Sequence, residues 1–303
     1  MPPRQSKQSA LETEVQAPDS ARGTLAILAG SGPFPGYLAQ SALAAGRRVH
    51  VIGFMGEADP GIAEYPHSWV KLGEVGKLFS ILKTNDCREL VIIGGVSRPD
   101  LANVRFDLGA IKILPFLLSL TIGGDDKVLA RIVRYFEDKG YRVRGAGDVA
   151  PNLLVGAGKL GAKAPSREDA IDIALGFEVI AALGRFDIGQ AAVVVRGHVL
   201  AVEAVEGTDA MLARTAALRQ WGSRGRGERS GVLVKAPKPQ QDKRVDLPTI
   251  GPATVTEAAA AGLAGIAVAA GEVLIAEREA TIEAADAAGI FLFGRVMPSG
   301  SDA

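Results

Sequence analysis

The sequence predicts an α/β fold in two parts: an N-terminal Rossmann-like parallel-sheet domain, then a mixed α/β C-terminal domain, joined by a linker. Three observations predict it. The first half alternates short apolar runs, glycine-rich turns and helical stretches, as parallel βα units do. A run rich in Gly and Lys and without periodicity, Gly156 to Pro165, interrupts that pattern. Beyond it, two closely spaced strands with Gly197-His198 between them indicate a hairpin, which a purely parallel sheet lacks. The 303-residue length also suggests about two domains. The expected divisions are a disordered leader at 1–21, a nucleotide-binding domain at 22–155, a linker at 156–165 and a catalytic domain at 166–297.

In chain order, Thr24 to Leu28 is a compact apolar strand, followed by Ala29-Gly30-Ser31-Gly32-Pro33-Phe34-Pro35-Gly36 and a helix to about Ala45. A strand, a glycine turn and a helix N-terminus make a place where backbone N–H groups can face a phosphate. The second strand is Val49 to Phe54. Gly36 falls one position late for a dinucleotide fingerprint and no acidic residue closes the second strand. A mononucleotide or nucleotide diphosphate therefore fits as well as a nicotinamide cofactor. Val75 to Asn85 is a predicted helix, and Glu89 to Ile93 a buried strand ending in Gly94-Gly95-Val96-Ser97-Arg98. Open α/β sheets bind ligands at the carboxyl ends of their strands, which groups Gly94, Gly95 and Arg98 with Gly30, Ser31 and Gly32. Arg98 is equally open to being a plain surface residue. Ile111 to Ile122 predicts an apolar core helix, or else an apolar wall beside a polar centre. Asp125 and Asp126 open a helix to near Lys139; one caps it, and the second is available for a metal. Arg142 to Arg144 is the last strand of the first domain.

The second domain opens with Ser166-Arg167-Glu168-Asp169 capping a helix to about Leu183. The strands Ala191 to Val195 and Val199 to Val205 follow. The latter carries Glu203 and leads to Glu206, Gly207, Thr208 and Asp209, a polar cluster before a helix from Ala210 to Gln220. After a basic loop from Gly222 to Arg229 come a strand at Val232 to Val234, a helix from about Thr254, strands near Ile266 to Ala269 and Val273 to Ile275, a helix from Glu277 to Ala288 and a terminal strand from Ile290 to Val296.

Composition narrows the function classes. Hydrophobic residues make up 48% and charged residues 22%, as in a soluble globular protein, and Lys plus Arg equals Asp plus Glu at 34 each. No overall field favours nucleic acid, so an anion site must be local. The single cysteine, Cys87, excludes an internal disulfide framework and fits a reducing compartment. The histidines, His50, His67 and His198, are too scattered for a dimetal phosphoesterase. No uncharged stretch is long and continuous enough for a membrane span.

The segment Val232 to Thr254 organises the rest. It sets Lys235, Lys238, Gln241, Asp242, Lys243, Arg244 and Asp246 among four prolines and a glycine. Proline denies the chain regular structure, so the segment is a shaped loop. Alternating cations and carboxylates suit an anionic ligand held with a metal, although a solvated connecting loop has the same composition. By elimination, the polar centre is Asp125, Asp126, Glu206 and Asp246 with Lys235, Lys238 and Arg244, the groups that phosphoanhydride hydrolysis needs. A nucleotide-sugar or lipid-carrier protein without turnover, and an NADP-linked oxidoreductase, are the rival readings.

Ala29-Gly30-Ser31-Gly32-Pro33, Gly123-Gly124-Asp125-Asp126-Lys127, and the segments Val202 to Leu212 (VEAVEGTDAML), Val234 to Lys238 (VKAPK) and Gln241 to Gly251 (QDKRVDLPTIG) together resemble the LpxI family of UDP-2,3-diacylglucosamine pyrophosphatases. The resemblance spans roughly Thr24 to Val296. It implies a lipid A pathway enzyme that uses Mg²⁺ and water to release UMP and 2,3-diacylglucosamine 1-phosphate, with attack at the sugar-side phosphorus. It implies a small lipid-linked substrate and peripheral contact with the cytoplasmic face of the inner membrane, with the Ile111 to Leu120 run lining acyl chains; a homodimer is left open. The roles expected on this basis start with Asp246 as Mg²⁺ ligand or water-orienting carboxylate, supported at the metal by Asp125 and Asp126. Lys235, Lys238 and Arg244 hold phosphate, with Gln241 on the same loop. Glu206 and Thr208 bind polar groups of the substrate, and Gly30, Ser31, Gly32, Gly95 and Arg98 bind the nucleotide or diphosphate. Domain closure about Gly156 to Pro165 is expected to bring the halves together.

Overall fold

The computed structural model describes residues 23–97, 104–119, 125–218 and 229–298. The first strand, β1 (Thr24–Ala29), is buried on both faces, as a central parallel strand must be. It feeds α1 (Phe34–Ala44), whose first turn holds Pro35, a residue tolerated there because its missing N–H would have had no helical partner. Next come β2 (Val49–Phe54), β3 (His67–Val70), α2 (Val75–Thr84) and β4 (Cys87–Ile93). The domain continues with α3 (Leu108–Lys112), α4 (Leu114–Ser119), α5 (Asp125–Asp138), β5 (Arg142–Val143) and α6 (Ala146–Val149). The five strands are all parallel, in the order β3-β2-β1-β4-β5. Alternate residues of β1 serve two cores: Leu25, Ile27 and Ala29 face α1, while Ala26 and Leu28 pack with Leu78, Leu82, Val133 and Phe136 of α2 and α5.

Two sequence expectations fail here, each for a physical reason. The sequence predicts one helix from Ile111 to Ile122; over the part that lies within the described residues, up to Ser119, the chain forms two short helices broken at Ile113. Pro115 has no N–H to give to Ile111 and its ring crowds that carbonyl, so the helix stops and restarts. Leu108 and Ile111 are exposed, so α3 is not a core helix. The other miss is β3, whose residues carry His and Ser and lack an apolar run.

The second domain has β6 (Gly158–Lys159), α7 (Arg167–Gly184), β7 (Ala191–Val195), β8 (His198–Val202), α8 (Gly207–Ala217), β9 (Val232–Lys235), β10 (Thr249–Ile250), α9 (Pro252–Ala260), β11 (Gly265–Ala269), β12 (Leu274–Ile275), α10 (Arg278–Ala288) and β13 (Phe291–Arg295). Its main sheet runs β6-β13-β11-β9-β7-β8 and is mixed: β9, β11 and β13 are parallel, while β6, β7 and β8 pair antiparallel. A parallel pair, β10 and β12, stands apart from it. The expected cap on α7 forms, Ser166 Oγ accepting from Asp169 N at 3.1 Å and Asp169 Oδ2 accepting from Ser166 N at 2.8 Å. Gly176 lets α7 lie directly on Val234 of β9, where a Cβ would come within 2.4 Å.

The stretch expected as a linker carries β6. Gly294 makes this possible, because a Cβ there would meet Gly156 O at 1.9 Å. Leu160 N donates to Leu292 O at 3.0 Å and Ala162 N to Asp286 Oδ1 at 2.7 Å. The segment is therefore the edge of the second sheet. In the other direction, Leu247, Leu274 and Ala276 pack into the α1-side core of the first domain, and Val245 into the α5-side core.

Candidate active site

The shaped loop leaves β9, which lies between β7 and β11, so the loop starts inside the sheet. Lys235, Ala236, Lys238 and Gln241 are all buried, and a loop that only connected elements in water would not bury two lysines and a glutamine. Prolines on both sides of Lys238 keep the backbone from continuing as strand. Instead, Lys238 N donates to Gln241 Oε1 at 2.9 Å and Gln241 N donates to Lys238 O at 3.1 Å. Gln241 Nε2 is buried with no hydrogen-bond partner among the described residues.

Lys238 reaches out of its own domain. Its Nζ lies 2.8 Å from Asp126 Oδ1 at the start of α5, and it also donates to Asp187 Oδ1 in the turn after α7. Both partners of the Lys238–Asp126 pair are over nine-tenths buried. Burial raises the Asp126 carboxyl above its ordinary range; Lys238 opposes that rise and the neighbouring Asp187 carboxylate adds to it. Burial pulls the Lys238 ammonium down, but its bonds to the two carboxylates outweigh this and the net direction is up. Asp126 Oδ2 has no hydrogen-bond partner among the described residues. Asp187 takes up its position with φ +62°, the left-handed region that Asp enters more readily than most residues.

Lys235 ends a second polar chain. Its Nζ donates to Thr208 Oγ1 at 2.9 Å and to Thr249 O at 3.0 Å, and Thr208 Oγ1 donates to Glu203 Oε1 at 2.6 Å. Glu203 Oε2 accepts from Gln190 N at 2.7 Å, and Gln190 Nε2 approaches Asp246 Oδ2 at 3.4 Å. Burial pushes the Lys235 ammonium below its ordinary range, while Glu203 and Asp209 push back.

The remaining expected residues divide by place. Arg244 grips Asp242 through Nε at 2.9 Å and Nη2 at 2.7 Å, and reaches Glu137 of α5 through Nη1 at 2.7 Å. The Asp242 carboxylate, then Glu137, hold its guanidinium above its ordinary range, and Arg244 holds Asp242 low in return. Asp126 and Glu137 are about 16 Å apart along α5 at 1.5 Å per residue, so the loop is fastened to that helix near both ends. Glu206 pairs with Arg214 at 3.1 Å, away from the buried chain that Thr208 joins. Arg98, Gly123 and Gly124 lie outside the described residues, as does the side chain of Asp125.

At the carboxyl end of the first sheet, the order β3-β2-β1-β4-β5 reverses between β1 and β4, where ligands of such sheets sit. Gly30, Ser31 and Gly32 follow β1, and Gly94 and Gly95 follow β4. Ser31 N donates to Gly95 O at 2.7 Å and Gly95 N to Ser31 O at 3.2 Å, and a Cβ on Gly30 would meet Gly95 O at 2.3 Å. Because α5 returns the chain to the start of β5, its first turn, with Asp126, lies at this same end of the sheet. Among the described residues no group of three or more His, Cys, Asp or Glu is arranged to hold a metal ion.

Comparison with known proteins agrees with this architecture domain by domain. The LpxI N-terminal domain family matches residues 24–153, and the LpxI C-terminal domain family matches residues 156–293. The chain belongs to the LpxI family. A relative within LpxI, the UDP-2,3-diacylglucosamine pyrophosphatase LpxI of Caulobacter vibrioides, is 46% identical over 271 residues, covering 89% of this chain and 96% of the relative. Sequence reasoning missed Asp187, Gln190 and, as a site residue, Glu203. Only Glu203 left a signal, a carboxylate at the end of an otherwise apolar strand.

Proposed function

We propose that this protein hydrolyses the pyrophosphate of UDP-2,3-diacylglucosamine to UMP and 2,3-diacylglucosamine 1-phosphate, a step of lipid A biosynthesis. The observation that carries the reading is the match to a relative of that name through both domains. The buried cations of the loop support it, since positive groups held out of water are strong stabilisers of phosphoryl charge. The water oxygen bonds to the sugar-side phosphorus as the bridging P–O bond breaks; the bridging oxygen leaves with UMP and the new oxygen stays on the sugar phosphate. Asp246 orients the water and takes its proton. Lys235 and Lys238 offset the charge that builds on the phosphoryl oxygens, and the exposed Ser31–Gly32 turn after β1, braced on Gly95, lets the nucleotide or diphosphate approach the backbone closely. Arg244, with its guanidinium N–H groups donated to Asp242 and Glu137, acts by holding the loop on α5.

Mg²⁺ fits the residues present. Asp126 keeps one buried oxygen without a hydrogen-bond partner among the described residues and has Asp187 as a neighbouring carboxylate. One or two carboxylates, with water and substrate phosphate, are the usual Mg²⁺ set; Asp246 would be a further oxygen donor, and Asp125, whose side chain lies outside the described residues, is expected from the sequence as another. When bound, Mg²⁺ supplies a Lewis acid that draws charge from phosphoryl oxygens. Among the described residues no helix is long and apolar enough to cross a membrane. As expected from the family resemblance, the reading takes the acylated substrate from the cytoplasmic face of the inner membrane by peripheral contact. The test is incubation with UDP-2,3-diacylglucosamine and Mg²⁺ in ¹⁸O water, with an EDTA control, followed by mass measurement of both products. Label in the sugar phosphate is expected. Label in UMP would move the attack to the other phosphorus, and absence of products would overturn the activity.

A further inference from the structure

We propose that Glu203 is a positioning residue that acts through the Thr208 hydroxyl to hold Lys235 as a directed ammonium. The catalytic consequence rests on the proposed hydrolysis; the effect on Lys235 does not. Glu203 lies just beyond β8, anchored by its own N–H to Ala191 O at 2.9 Å. An ionised carboxylate only accepts, so the 2.6 Å contact obliges Thr208 to give its single proton to Glu203. The Thr208 oxygen then presents a lone pair, which receives an N–H of Lys235 at 2.9 Å. Thr249 O takes a second N–H at 3.0 Å, leaving one of the three Lys235 donors for a ligand.

Among the described residues Lys235 forms no ion pair, although it is buried at the end of a central strand. Burial alone favours the neutral amine. Of the charged groups on the surrounding elements, Glu203 beyond β8 and Asp209 in α8 face Lys235. Asp209 is exposed and also faces Glu257 of α9, which leaves Glu203 as the partner connected to Lys235 by hydrogen bonds. The second Glu203 oxygen accepts the backbone N–H of Gln190, whose side chain approaches Asp246. One carboxylate thus braces a lysine on one side and, through Gln190, the segment beside the expected water-orienting group on the other.

The experiment follows the Lys235 side chain by NMR titration of the full chain carrying ¹³C-lysine, with Lys235→Arg to assign the resonance. Glu203→Gln is expected to lower the Lys235 midpoint by about one pH unit, the effect of removing one nearby opposite charge. Thr208→Val is expected to lower it less, because the charge stays and the hydrogen bond goes, and Thr208→Ser to restore the wild-type midpoint. In turnover of UDP-2,3-diacylglucosamine, the alkaline limb of kcat moves to lower pH in the same order. An unchanged midpoint in Glu203→Gln overturns the proposal, as does Thr208→Ser behaving like Thr208→Val. If Glu203→Gln does not fold, the two Thr208 variants decide. If the wild-type chain shows no turnover, the activity falls while the lysine titration still decides the role of Glu203.

Discussion

The two domains contribute to the proposed site in opposite ways. The first offers backbone: glycines after β1 and β4, closed on one another by paired N–H and C=O groups, with Ser31 and Gly32 exposed. The second offers buried charge, with Lys235 at the end of β9 and Lys238 in the loop that follows, their partners coming from α5, the turn after α7, α8 and β10. Backbone recognition needs only a local turn, whereas a buried ammonium needs acceptors brought from far along the chain. The first domain is thus suited to binding, and the second to chemistry that needs a tuned protonation state.

Three substitutions test this contrast, from the largest expected effect to the smallest. Asp246→Ala should lower kcat by about 10²–10⁴-fold, the usual range for a lost general base, with the melting temperature near wild type. Near-normal turnover in a folded variant would remove the second domain's claim to the chemistry. Lys238→Met should cost about 3–5 kcal/mol in chemical denaturation, because it leaves the buried Asp126 carboxyl beside the part-exposed Asp187 without their cation. A cost under 1 kcal/mol would mean that the charge is not held as the geometry implies. Glu137→Gln should cost no more than about 1 kcal/mol, since this pair with Arg244 is 40% and 39% exposed and water screens it. If Glu137→Gln matched Lys238→Met, burial would not be what separates the two fastenings.

Legibility in the sequence followed the same contrast. The glycine turns, the capped α7 and the β7–β8 hairpin were readable because each depends on residues a few positions apart, and the parallel first sheet was readable from the alternation of apolar strands and helices along the chain. The short strands β3, β6 and β10 were not, because their strand character comes from neighbours in the sheet rather than from their own apolar pattern. In the site, the loop and its lysines were found from proline spacing and charge. Of their partners, Asp126 and Thr208 were among the expected residues, but others were hidden: Lys238 and Asp187 are 51 residues apart, and Arg244 and Glu137 are 107 apart. Arg244 was expected on phosphate for its charge alone, and nothing in its own segment indicated that Asp242 and Glu137 take up its guanidinium.

Asp187 carries a consequence for which substitutions its position tolerates. Its backbone stands at φ +62° while its carboxylate bonds to a buried lysine, so two independent filters act on one residue. Glycine and asparagine satisfy the backbone but bring no charge; glutamate brings the charge but pays about 1–2 kcal/mol to hold a left-handed conformation. Aspartate alone passes both, and a single turn residue after α7 is therefore as narrowly constrained as the loop lysine it serves.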